Sequence, residues 1–294
     1  MNDLISMLYE FSVFFYLGLF IIGACIGSFL NVVVLRLPVS LTEQWKRQCH
    51  ELLSEHGINC DQKPIDDIPS ISSPPSRCPM CQQPLKAHHN IPIIGYFLLG
   101  GKCAFCNEKI SIRYPVVEFF TAVITVCLGT ILGPSYQLLF ALIFTYSIIC
   151  LSLIDFDCQL LPDNIVLPLL WIGLLINQFE IFTNLRSAVW GAIIGYMMLW
   201  IIYQAHHRLT GKEGMGYGDF KFLAAIGAWF GWQMLPMVIL IASISGTIIA
   251  IGMMVLKKQG SDVPISFGPY LALAGWIIMI WGHNLSSYFN FYFL

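Results

Sequence analysis

Of 294 residues, 57% are hydrophobic and 11% charged, against roughly 25% charged in soluble domains, and the formal net charge is −2. That balance excludes a soluble globular enzyme. Several apolar runs are long enough to cross about 30 Å of hydrocarbon, so the chain reads as a multi-span membrane protein.

The first apolar segment covers about 11–35. No Lys or Arg precedes it, whereas a secretory signal peptide needs a basic n-region and a small-residue cleavage site. A retained first span is the expectation. The one large polar region follows, at about 36–113, and is the only stretch that could form a soluble subdomain. It holds nine of the fifteen Lys and Arg, with Arg36 and Arg113 directly beside the flanking spans. The positive-inside bias therefore predicts a cytoplasmic loop.

Within that loop, Cys78-Pro79-Met80-Cys81 and Cys103-Ala104-Phe105-Cys106 form C-x₂-C…C-x₂-C, about twenty residues apart. Two such knuckles can close a tetrahedral Cys₄ site for Zn²⁺. A cytoplasmic placement disfavours disulfides, and redox thiols are the alternative. The metal would be structural, because four thiolates leave no position for water, and its binding would supply folding free energy to a subdomain with little core. His88 and His89, between the knuckles, read as surface residues. Cys25, Cys127 and Cys150 read as small packing residues in spans; Cys49 and Cys60 have no partner pattern, and Cys158, near Asp155, has no positioned His to make it a nucleophile.

Seven further apolar segments are expected, at about 115–132, 136–154, 163–180, 187–205, 219–231, 233–256 and 266–290. The sixth of the eight, 219–231, is short and contains glycine, which predicts a tilted or partly inserted helix. Counting spans returns 153–163, 206–219 and 257–264 to the cytoplasmic side, where Arg208, Lys212, Lys257 and Lys258 lie, and leaves Arg186 opposite. The expected organisation is a first helix (1–35), a cytoplasmic loop with the Cys₄ subdomain (36–113) and a membrane-embedded core (114–294). The fold class is all-α polytopic, with about eight transmembrane helices and a zinc-ribbon-like loop.

Two aspartates stand at cytoplasmic ends of these segments. Asp155 lies in Leu153-Ile154-Asp155-Phe156-Asp157 and Asp219 in Gly214-Met215-Gly216-Tyr217-Gly218-Asp219-Phe220-Lys221. An ionisable group costs roughly 2.5–3.5 kcal/mol at a membrane helix centre on insertion scales, so such a residue is a functional candidate. Peptide hydrolysis by two carboxylates needs them close together and sharing one proton. Gly214, Gly216 and Gly218 remove side chains before Asp219, which would let an extended substrate approach, with Lys221 just beyond. The competing readings are helix capping and a proton relay in a transporter. Asp163, after Pro162, reads as an N-cap. The glycine run lacks G-x-G-x-x-G spacing, and Glu213 breaks a Walker-like Gly211-Lys212, so neither is a nucleotide motif.

Taken together, several stretches resemble the bacterial type IV prepilin peptidases: Gly27-Ser28-Phe29-Leu30-Asn31-Val32-Val33 before Arg36-Leu37-Pro38, the cysteine quartet, Arg113–Glu118, Leu153–Asp163, Gly214–Gln233 and Phe267-Gly268-Pro269-Tyr270-Leu271-Ala272. The resemblance spans about residues 20–275 and implies a GxGD-type aspartic protease in the bacterial inner membrane, with Asp155 and Asp219 catalytic. It further implies cleavage of a basic leader after a glycine on the cytoplasmic side, and N-methylation of the new terminus with S-adenosylmethionine. Prepilin and type II secretion pseudopilin substrates and the lipid bilayer are the implied partners, with no nucleic acid. The cysteine quartet favours the bifunctional bacterial branch over the archaeal preflagellin peptidases. Gly100 departs from the arginine that the family usually carries there. No residues mark a binding site for the methyl donor.

Overall fold

The computed structural model describes residues 2–56, 58, 70–211, 215–257 and 266–288. Among these residues the fold is helical without named strands, and it divides into two units, Met1–Pro134 and Ser135–Leu294.

In the first unit, α1 (Asn2–Glu55) outruns its apolar segment and passes through Pro38. α2 (Ile94–Leu98) is a single turn in the polar region, and α3 (Arg113–Leu132) packs along α1. Glycines set the closeness of that pairing. A Cβ at Gly23 would lie 2.6 Å from Thr125 Oγ1, and one at Gly27 would lie 2.7 Å from Glu118 Cα. The spacing Gly23-x-x-x-Gly27 is the small-residue pattern that lets membrane helices approach, since lipid provides no hydrophobic drive between them.

In the second unit, α4 (Tyr136–Cys158) and α6 (Leu185–Thr210) are long, and each starts on a capping side chain. Ser135 Oγ accepts from Leu138 N–H, and Asn184 Oδ1 accepts from Ser187 N–H. Between them in sequence lies α5 (Asp163–Asn177), followed after α6 by α7 (Tyr217–Phe230), α8 (Leu235–Lys257) and α9 (Gly268–Tyr288).

α7 is the centre of this unit. Phe220, Phe222, Leu223, Ile226 and Trp229 are fully buried, and α5, α6 and α9 pack around it. A helix apolar on every side belongs inside a bundle rather than at its surface. Gly191 of α6 and Gly227 of α7 meet backbone to backbone, where a Cβ on either would collide. The C-terminal end of α7 is satisfied by one residue. Fully buried Asn177 donates through Nδ2 to the carbonyls of Ala228 (2.8 Å) and Trp229 (2.9 Å), and its Oδ1 accepts from Phe182 and Thr183 N–H. Trp229 Nε1 donates to Leu169 O at 2.8 Å, tying α7 to α5.

Among the described residues, five helices are long and apolar enough to cross a membrane: Ser12–Glu55, Arg113–Leu132, Tyr136–Cys158, Leu185–Thr210 and Trp232–Val255. Three of the eight expected spans are not among them. α5, with 15 residues, and α7, with 14, reach only about 20 Å at 1.5 Å per residue, and the described apolar stretch of α9, Gly268–Gly282, is also short.

Candidate active site and metal centre

Asp155 sits one turn from the C-terminus of α4, and Asp219 is the third residue of α7. The two are 5% and 8% exposed, and each lies within electrostatic reach of the other. α4 ends abruptly after Asp155: Gln159 takes the left-handed conformation (φ +52°) and its N–H caps the Asp155 carbonyl. The chain then turns back through Leu160 to Pro162 and starts α5.

One side chain in this turn binds the neighbourhood together. Leu161 lies against both Gly218 and Gly268, where a Cβ would stand 2.9 Å from its Cβ and 3.2 Å from its Cδ2, respectively. Gly268 opens α9, and its N–H donates to Asp155 Oδ2 at 2.9 Å. A Cβ there would lie 2.6 Å from the same oxygen. Asp155, Gly268, Leu161, Gly218 and Asp219 thus form one continuous cluster drawn from α4, α9, the α4–α5 turn and α7.

The glycines before Asp219 differ in what surrounds them. Gly218 is needed for packing against Leu161, whereas a Cβ at Gly216 would meet little beyond Asp219 Oδ2 at 3.9 Å. Gly214 lies outside the described residues. Lys221 turns away from the aspartate pair. Its Nζ pairs with Asp163 Oδ1 (2.8 Å) and Oδ2 (2.7 Å), joining the first turns of α5 and α7. Asp163 is therefore not an N-cap. Pro162 holds that position with φ −64°, and Asp163, one residue inside, spends its carboxylate on Lys221. The aspartate pair was legible from its membrane-edge position, but Gly268 and Leu161 carry no ionisable group and were missed as neighbours.

In the first unit the four cysteines converge. Their sulfurs lie within 4.8 Å of one another, with Cys78 Sγ 3.8 Å from Cys106 Sγ and Cys81 Sγ 4.0 Å from Cys103 Sγ. Tetrahedral bonds of about 2.3 Å to Zn²⁺ put sulfurs about 3.8 Å apart, so the geometry fits a metal. The two knuckles are copies of one backbone design. Cys78 and Cys103 N–H donate to the carbonyls five residues on (Gln83 and Glu108), and their own carbonyls accept from Gln82 and Asn107. Gln82 and Asn107 both take positive φ, 57° and 59°, and the pairs Arg77–Pro84 and Lys102–Lys109 bridge at each base. Backbone N–H groups of Cys106 and then Phe105 hold the Cys103 thiol down at about 6, favouring the thiolate that a metal needs.

Other residues fall differently from expectation. His88 is exposed, but His89 is half-buried and lines a cavity. Cys150 is buried as a packing residue, whereas Cys25 and Cys127 lie on exposed helix faces; Cys60 lies outside the described residues. Gly100 takes φ +57°, beside Gly101 at +70°, so a side chain there would be strained by the turn itself.

Two family models match the chain: the bacterial peptidase A24 N-terminal domain over residues 21–131 and the type IV leader peptidase family over residues 142–251. Each match falls within one of the two structural units. A protein of Stutzerimonas stutzeri named prepilin leader peptidase/N-methyltransferase is 44% identical over 278 residues, 94% of each chain. The chain belongs to the prepilin leader peptidase/N-methyltransferase family. A relative of the same name from Aeromonas hydrophila is 45% identical over 276 residues, covering 94% of this chain and 93% of its own. A third, from Legionella pneumophila, is 38% identical over 289 residues and 98% of this chain. No solved structure matches. This prepilin peptidase family member is thus an enzyme and a multi-pass membrane protein, and its four-cysteine cluster has the geometry to hold a metal.

Proposed function

We propose that this protein removes the basic leader from prepilins and type II secretion pseudopilins, cleaving after a glycine at the cytoplasmic face of the inner membrane, and then N-methylates the new terminus. The observation that carries the peptidase half is the burial of two carboxylates, Asp155 and Asp219, in one cluster with no cation paired to them among the described residues; Lys221, two residues beyond Asp219, is engaged by Asp163. A pair of like charges in a low-dielectric site shares a proton. The ionised member takes a proton from water, which attacks the scissile carbonyl, while the neutral member donates to the carbonyl oxygen. Collapse of the tetrahedral intermediate breaks the C–N bond, and the leaving nitrogen takes up a proton. Gly268 N–H fixes one oxygen of Asp155, which orients the carboxylate that faces Asp219.

The basic residues of the 36–113 region support a cytoplasmic orientation for that region. Cys78, Cys81, Cys103 and Cys106 would hold Zn²⁺, whose contribution is to stabilise the fold of that region. A proton-relay transporter is the weaker reading, since these acids lie at a helix end and a helix start rather than at the midplane of broken helices.

The test is cleavage of a prepilin by purified protein in detergent, with S-adenosylmethionine present and products read by mass spectrometry. Asp155→Asn and Asp219→Asn should each lower cleavage by at least about 10³-fold, and the double variant should be scarcely worse than either. Cleavage at wild-type rate by either variant would overturn the assignment.

A further inference from the structure

Between α1, the start of α3 and the cysteine knuckles lies a cavity of about 470 Å³, inside the first unit. That volume is in the range that encloses a nucleoside-sized ligand. Its wall is mixed. Leu35, Ile91 and the rings of Tyr96 and Tyr114 supply apolar and aromatic faces, while Arg36, Arg77 and Lys109 bring positive charge and Asn31 and Glu118 bring buried polar groups.

Glu118 is the feature that asks for a ligand. It is 8% exposed, and among the described residues no cation pairs with its carboxylate. Oε2 accepts from Ile93 N–H at 2.7 Å, and the Ser28 hydroxyl lies beside it. The Ile93 donor is itself held in a costly conformation: a β-branched residue at φ +64°, ψ −56°, closed by a bond from Ile94 N–H to Pro92 O. This is a γ-turn of the rare positive-φ kind, and such strain persists only where surroundings impose it. Gly27 admits the Glu118 backbone against α1, so the carboxylate is positioned from three sides. His89, on the same wall, has a buried Nδ1 without a hydrogen-bond partner among the described residues. The cavity is thus walled by an oriented carboxylate, aromatic faces and a basic rim.

From this geometry we infer that the cavity is the methyl-transfer pocket and takes S-adenosylmethionine, with Glu118 binding the sulfonium end. This rests on the methyltransferase half of the proposed function. The ligand's chemistry matches the wall point for point. A sulfonium cation is stabilised by a carboxylate and by aromatic faces, the adenine by apolar and aromatic surface, and the donor's own carboxylate by an arginine. In the reaction, the neutral α-amine of the newly exposed terminus attacks the methyl carbon. The N–C bond forms as the S–C bond breaks, its electron pair stays on sulfur as a neutral thioether, and the surplus proton on nitrogen leaves to solvent.

The experiment uses the full chain in detergent with radiolabelled S-adenosylmethionine in equilibrium dialysis, beside prepilin cleavage and methyl mass by mass spectrometry. Glu118→Gln keeps an oxygen for Ile93 N–H but removes the charge, and Ile91→Trp fills the cavity from another wall. Each should weaken donor binding by about tenfold or more and remove the methyl mass, while leaving cleavage within about twofold. Donor binding at wild-type strength by both variants would overturn the pocket. Wild-type protein that cleaves but neither binds the donor nor methylates would overturn the methyltransferase reading beneath it. Loss of cleavage together with binding would show Glu118 to be needed for the fold, and the Ile91→Trp result then decides alone.

Discussion

At the scale of single residues, the proposed peptidase site depends on groups that have no chemistry of their own. Gly268 is the sharpest case: its N–H holds Asp155 Oδ2, and the space where a Cβ would stand is occupied by that same oxygen. Gly268→Ala should displace the carboxylate and lower kcat by about 10²-fold, with thermal unfolding little changed; misplacement on the order of 1 Å carries that cost. A kcat near wild type would show that Asp155 is oriented by other contacts. Lys221 and Asp163 make a pair that is one-third to one-half exposed. Screening by solvent limits such a pair to about 1 kcal/mol or less, so Lys221→Met should alter stability only slightly. If cleavage falls while stability holds, the pair positions the start of α7 and with it Asp219.

At the scale of elements, α7 is a helix whose two ends are asked for different things. Its first turn carries the buried carboxylate proposed as catalytic, and its last turn ends buried, where unsatisfied carbonyls cost free energy that water cannot offset. Asn177 supplies two bonds to those carbonyls and accepts two more from the following loop. Asn177→Leu should destabilise the second unit by about 2–4 kcal/mol, read by denaturation in detergent, because four partners lose their bonds at once. A loss below about 0.5 kcal/mol would mean that the α7 end is satisfied in another way. The pairing of α1 with α3 depends instead on absent side chains, at Gly23 and Gly27. Neither device leaves a strong mark in composition: one is a lone asparagine and the other a pair of glycines in an apolar run.

For the whole molecule, two units divide the chain where the two family matches divide it, one unit holding the cysteine cluster and the 470 Å³ cavity and the other the aspartates. Separable losses follow. Cys78→Ser should lower the bound zinc, measured by inductively coupled plasma mass spectrometry, together with protein abundance. The Asp155→Asn protein should keep its metal in full. A Cys78→Ser protein with its complete zinc content would sink the metal site. Loading metal into stripped protein should also release protons, since a thiol gives up its proton when it binds a metal.

The amino-acid pattern alone determined the membrane class and the helical fold, and it singled out the two aspartates and the cysteine quartet as candidates. Each of these rests on a residue type that is costly or unusual where it stands: an acid at a membrane edge, or four thiols in matched spacing. By length α5 and α7 fall short of the five full-length apolar helices, and apolarity does not divide them further, because burial by neighbouring helices and burial by lipid select the same residues. Only the tertiary structure decided that Gly268 and Leu161 join the two aspartates, that Lys221 belongs to Asp163, and that Glu118 faces a cavity against Ile93. Those contacts join residues far apart in the chain, and sequence spacing encodes periodicity within an element rather than which elements meet.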